Sequence, residues 1–154
     1  MGAKEYLEQY SALNMETRHL EDRIEEAFYE TQIPGMRDSD GSQKTQGRGD
    51  RQEKAYIRYI DTKDRLQPKI DANKKRMGQI EEITFLLSDP MQRAVLRLRY
   101  IDADSWKPVP WRLVALEMYK NDDEKDILRV KRLHREALVA LGAIILQNNI
   151  LDTV

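Results

Sequence analysis

The sequence contains no cysteine. That excludes disulfides, thiolate metal sites and a cysteine nucleophile. Its two histidines, His19 and His134, are far apart, so a histidine-based zinc site is not expected. No run approaches the roughly 18–20 uncharged apolar residues a membrane-spanning helix requires. The opening MGAKEYLEQY has neither an apolar core nor a cleavage pattern, so secretion is not expected and the cytoplasm is the expected location. No stretch shows strand alternation, so no glycine-rich phosphate loop can follow a strand. No serine, histidine and acid fall into a hydrolase motif. The adjacent pairs Glu25–Glu26 and Glu81–Glu82 face apart on helices. No enzyme and no cofactor are therefore expected.

What is present is charge and helical periodicity. The chain has 154 residues, 34% of them charged, with 26 Lys and Arg against 27 Asp and Glu. A chain of this length holds one domain, or one small domain with an appendage. Its near-neutral total hides an acidic front. The first thirty residues carry three basic and eight acidic side chains, whereas residues 91–141 carry eleven and eight. The basic back is a hint of polyanion contact.

Residues 4–30 read as one helix. Tyr6, Tyr10, Leu13, Thr17, Leu20, Ile24 and Ala27 recur at alternating spacings of four and three, the seam of a helix that meets a partner. Pro34 and Gly35 end it. Residues 34–51 hold four of the seven glycines and one large apolar residue, Met36, so the segment is expected to be a mobile loop. Arg48-Gly49-Asp50 within it reads as a chance integrin-type match in a loop. A second helix is expected over 52–87, with Tyr59, Lys63, Leu66, Ile70, Asn73, Met77, Ile80, Thr84 and Leu87 on its seam and a kink or break at Pro68. The two helices must pack on each other, on a second subunit, or on both.

Ser88-Asp89-Pro90 marks a restart, with Ser88 or Asp89 as cap and Pro90 in the first turn. Short helices over 91–101, with Val95 and Leu98 inward, and over 111–119 follow. The loop 102–110 between them contains Trp106. A polar turn, 120–125, leads to a final helix capped by Asp126 and running to about residue 147. Its expected inward residues are Ile127, Val130, Leu133, Ala137, Leu141 and Ile144. The fold class is thus all-α, a long coiled-coil-like helical hairpin followed by a trihelical unit. The domains divide as 1–87 with the mobile loop 34–51, 88–147, and a tail 148–154.

Compact trihelical units commonly present their last helix to the DNA major groove. Here that helix carries Arg129, Lys131, Arg132 and Arg135. Cations projecting from an apolar inner face suit phosphate and guanine contacts; a merely solvated charged face is the alternative. Trp111, at a helix start, reads as a core anchor rather than a base-stacking residue. Trp106 fits either the core or an exposed partner contact. His134 reads as a packed or boundary residue, and His19 as solvated.

The segment Met91-Gln92-Arg93-Ala94-Val95-Leu96-Arg97-Leu98-Arg99-Tyr100 resembles the opening helix of sigma-factor region 4. Trp111-Arg112-Leu113-Val114-Ala115 is similar to the start of the next helix of that unit. Val130-Lys131-Arg132-Leu133-His134-Arg135-Glu136-Ala137-Leu138 is similar to its recognition helix. The front of the chain, with Lys4-Glu5-Tyr6-Leu7-Glu8-Gln9-Tyr10 and the Pro-Gly-Met loop, resembles small regulators of the ArpU/RinA type from phages of Gram-positive bacteria. The resemblance implies a helix-turn-helix transcriptional regulator of phage or prophage genes, acting in the cytoplasm of a bacterial host. Its implied DNA-binding residues are Arg129, Lys131, Arg132 and Arg135, helped by Arg112 and Arg97. Its implied partners are double-stranded DNA and host RNA polymerase, with a homodimer through the N-terminal helices as the other use of the hairpin.

The sequence departs from that pattern in a longer loop between the first two helices of the unit and in a longer, acidic turn before the last. Asp122, Asp123 and Glu124 would repel phosphate against the DNA backbone, or favour the positive end of the last helix. Ile127 and Leu128 stand where polar readers are usual. One of them could touch a thymine methyl, and Ile127 reads rather as core. Two rival functions remain: a small-terminase-type packaging protein, and a helical interaction module without DNA binding.

Overall fold

The computed structural model describes residues 2–32, 45–103 and 107–148. Among the described residues the chain is all-helical and has no strand. The elements are α1 (Ala3–Gln32), α2 (Thr45–Phe85), α3 (Pro90–Leu96), a π-helical turn (Arg97–Ile101), α4 (Trp111–Tyr119) and α5 (Glu124–Gln147). No described helix is long and apolar enough to cross a membrane.

The chain forms two compact units, and the division falls inside both long helices rather than at residue 88. The first comprises residues 1–15 and 74–154, the second residues 16–73.

In the first unit, Tyr6, Leu7 and Tyr10 of α1 join Ile80 and Leu87 in one core with Val95, Leu96, Tyr100, Val114, Ala115, Val130, Ala137, Leu141 and Ile145. The three C-terminal helices therefore share their core with the ends of both long helices. Polar groups add direction to this packing. The Tyr10 hydroxyl donates to Glu81 Oε1 at 2.7 Å, and the Ser11 hydroxyl donates to the Tyr100 carbonyl at 3.2 Å. Arg93 turns back to donate to the Leu87 carbonyl at 2.6 Å, satisfying an acceptor beyond the end of α2.

In the second unit, Thr17, Ala27 and Thr31 are buried from α1, and Leu66, Ile70 and Asn73 from α2. Glu16 accepts from Asn73 at 2.9 Å and Glu30 from Arg58 at 3.1 Å, so the two segments run antiparallel. The seam residue Lys63 is exposed. The polar seam residue Asn73 is buried because it has an acceptor in Glu16.

Four local expectations change. The loop 34–51 is shorter, because α2 begins at Thr45; residues 34–44 lie outside the described residues. Extending an existing helix costs far less than nucleating one, and that outweighs roughly 1 kcal/mol for each of Gly47 and Gly49. Arg48-Gly49-Asp50 consequently lies in helical backbone, not in a loop. Pro68 does not split α2. It sits on the exposed side with Asp64, so the carbonyl deprived of its donor is on the side that meets water.

The helix expected over 91–101 is α-helical only to Leu96. Its start is as expected, with Asp89 accepting from the Met91 amide and Pro90 in the first turn. Beyond Leu96 the helix widens, and the Asp102 amide donates to the Arg97 carbonyl at 2.8 Å, a five-residue step. Finally, α5 starts two residues before the expected cap Asp126. Asp123 is the cap and accepts from the Asp126 amide at 2.9 Å. The polar turn therefore shrinks to residues 120–123. Trp106 and the tail from residue 149 lie outside the described residues.

Candidate nucleic-acid interface

The face that α5 presents is fixed by what it buries. Val130, His134, Ala137, Leu141 and Ile145 are buried, at successive steps of four, three, four and four. Ile127, Leu133 and Ile144, expected inward, flank this stripe and are half-buried. One helical rotation of 100° per residue places Arg132 opposite the stripe. Lys125, Leu128, Arg135, Glu136 and Val139 flank Arg132 and are exposed with it.

His134 holds the stripe in register. Its Nε2 lies 2.7 Å from the Tyr100 hydroxyl, and its ring meets Trp111 edge-on with centroids 4.7 Å apart. Burial, with the nearby Arg99 and Lys4 cations, pushes its pKa down to about 4. The ring is thus neutral at pH 7, and Nε2 can accept the Tyr100 proton. Trp111 is a core anchor: the Arg99 guanidinium lies 3.6 Å from its ring centroid, on the side chain that His134 also contacts. Arg99 further donates to the Val109 carbonyl and accepts from the Val109 amide at 3.0 Å. These contacts tie the end of the loop before α4 to the π-helical turn.

The six cations singled out from the sequence fall into three groups. Lys131, Arg132 and Arg135 are exposed on α5 and have no ion-pair partner among the described residues. Arg129 and Arg112 are exposed but engaged. Arg129 lies 3.4 Å from Asp126, with its guanidinium 4.5 Å from the Tyr119 ring centroid. Arg112 donates from Nε to Asp122 Oδ2 at 2.6 Å. Arg97 stands apart: its guanidinium lies 5.6 Å from the Phe85 ring centroid. It lines a groove with Met91, Asp102, Glu117 and Met118, none of which belongs to α5.

Two shallow, open patches lie on the outer face of α5. One is lined by Asp123, Glu124, Lys125, Leu128, Arg129 and Arg132. The other is lined by Arg132, Arg135, Glu136 and Val139. Arg132 belongs to both. Two acids of the turn make structural contacts, while Glu124 stays exposed at the start of α5. Asp123 caps α5 and accepts from the Asn121 side chain at 3.1 Å, while Asp122 holds Arg112.

Lys125 is not among the residues that the sequence singles out for contact, whereas Leu128 is one of the two read as able to touch a thymine methyl. Placing the helix start at Asp126 put Lys125 in the turn. Once α5 begins at Glu124, the phase of the helix puts both on the face of Arg132.

Among the described residues no cluster of three or more His, Asp or Glu side chains could hold a metal ion. Comparison with known proteins finds no matching family model, no matching curated protein and no matching solved structure.

Proposed function

We propose that the chain is a sequence-specific DNA-binding regulator of phage or prophage genes. In this reading α4 and α5 act as a helix-turn-helix, α5 lies in the major groove, and the two long helices form a hairpin. The observation that carries the proposal is the arrangement of Lys131, Arg132 and Arg135. All three are exposed and free of ion pairs among the described residues; Arg132 stands opposite the buried stripe of α5 and Arg135 flanks it, while Lys131 lies about 80° from the centre of the stripe. A cation held by the chain's own acids must break that pair before it meets a phosphate, whereas these three need not. Arg132 is the base reader, because it stands farthest from the core on the outward arc; Arg135 beside it and Lys131 nearer the buried stripe contact phosphates. The hairpin serves a second copy of the chain or host RNA polymerase.

A gel-shift titration on DNA selected from a random pool tests the proposal. Arg132→Ala should weaken binding by about 1–3 kcal/mol if it reads a base, and affinity should fall steeply with salt. Undetectable or salt-independent binding would overturn it.

The interaction-module reading keeps a specific observation in its favour. Val139 and Leu146 on the same helix are 76% and 72% exposed, and Arg112 and Arg129 are already paired. A chain without DNA affinity that is captured through this apolar stripe would favour that reading.

A further inference from the structure

We propose that Leu128 reads the C5 methyl group of a thymine within about two base pairs of the base contacted by Arg132. The inference rests on the DNA-binding reading of α5 and assigns a base to a side chain that carries no charge. Its starting point is a contrast between neighbours. Ile127 packs against the core, but Leu128 is 57% exposed and lies in one surface patch with Lys125, Arg129 and Arg132, and with Asp123 and Glu124 at the start of the helix. A leucine held in water among three cations has no role in the core. Its apolar surface is unfavourable where it stands, yet Arg132, which has no ion pair among the described residues, stands four residues away on the same face.

Double-stranded DNA combines both requirements. Its phosphates match the cations, and the major-groove edge of thymine offers an exposed methyl group. No other major-groove edge of an unmodified base pair presents an apolar atom group of that kind.

The spacing fits as well. Leu128 and Arg132 are four residues apart and share a face of α5. At about 1.5 Å rise per residue they are offset by roughly 6 Å along the helix, close to two base-pair rises of about 3.4 Å. The thymine read by Leu128 should therefore lie within about two positions of the guanine contacted by Arg132.

The test uses the full chain and a binding site selected from random duplexes. Each thymine of that site is replaced in turn by deoxyuridine, which removes only the methyl group, and affinity is followed by fluorescence anisotropy. One replacement should weaken the wild-type chain about fourfold, the cost of one unburied methyl-sized group. Leu128→Ala should bind the thymine and deoxyuridine sites equally. Leu128 is exposed, so this variant should keep the helical circular dichroism of the parent.

Binding that is indifferent to every thymine methyl overturns the assignment, and so does Leu128→Ala with the full deoxyuridine penalty. In both cases the regulator reading stands. A chain that selects no DNA at all overturns both.

Discussion

The Tyr100 hydroxyl and His134 Nε2 are 2.7 Å apart inside the core that α1 and α2 share with the three C-terminal helices. This contact links the π-helical turn to α5, and burial keeps the imidazole uncharged at pH 7. Protonation would make both ring nitrogens donors and place a third cation beside Arg99 and Lys4. The folded chain therefore holds His134 at a pKa of about 4, below the ordinary value of about 6.5. Between those values the unfolded state binds the extra proton, so stability falls as pH drops from about 6.5 toward 4 and is fully present above that window. The difference corresponds to a loss on the order of 3 kcal/mol. His134→Gln keeps a hydrogen-bonding group and does not titrate. Thermal melts of both proteins across pH 4–7 should show a shallower acid slope for the variant. Parallel slopes would mean that His134 is not the group responsible.

That pair also shows where the sequence is legible. The seams of α1 and α2 can be read directly, because Tyr6, Tyr10, Thr17, Leu66, Ile70 and Ile80 repeat at helical spacing and are buried. Asp89-Pro90 is equally plain, since cap and proline are local signals. The buried stripe of α5 is less so. Hydropathy chooses Leu133 and Ile144, yet the stripe passes through His134, whose polarity is satisfied by Tyr100, distant in sequence. The same holds for Arg129 and Arg112. As charges in the sequence they are equivalent to Arg132 and Arg135; only the positions of Asp126 and Asp122 separate engaged cations from free ones. The division into units is hidden for a different reason. A continuous helix carries no mark of the point at which its partners change.

The turn between α4 and α5 holds a backbone cost that substitution can remove. Lys120 is in the left-handed region at φ 57° and ψ 22°, where its Cβ costs about 1 kcal/mol or more. Its amide donates to the Leu116 carbonyl at 3.0 Å, ending α4 in the way a glycine commonly does. Lys120→Gly should raise stability by about 1 kcal/mol in urea unfolding, whereas Lys120→Ala should bring no comparable gain. Equal effects of the two substitutions would show that the side chain, not the backbone angle, matters there.

Asp123 starts α5 by accepting from the Asp126 amide. Asp123→Ala leaves that amide without its acceptor and should cost about 1 kcal/mol. Asp123→Ser should recover most of the loss. Asp126→Ala should cost less, because Asp126 contributes a charge in the first turn and not the cap. Urea unfolding of the three variants checks the order, and a larger loss at Asp126 would place the helix start where the sequence alone suggested it.

Asp122 decides how many cations the interface can offer. Its carboxylate holds Arg112 at 2.6 Å, so Arg112 contributes little to phosphate binding while the pair persists. Asp122→Asn removes the carboxylate charge and frees the guanidinium. If Arg112 then reaches a phosphate, the slope of log affinity against log salt should steepen by about 0.9, the contribution of one neutralised phosphate. The mutation also removes a negative charge near the DNA, which by itself would strengthen binding. The double variant Arg112→Ala with Asp122→Asn separates the two causes. A steeper slope that survives in the double variant belongs to lost repulsion by Asp122. One that vanishes there belongs to Arg112. An unchanged slope in Asp122→Asn alone would remove Arg112 from the interface and leave binding to α5.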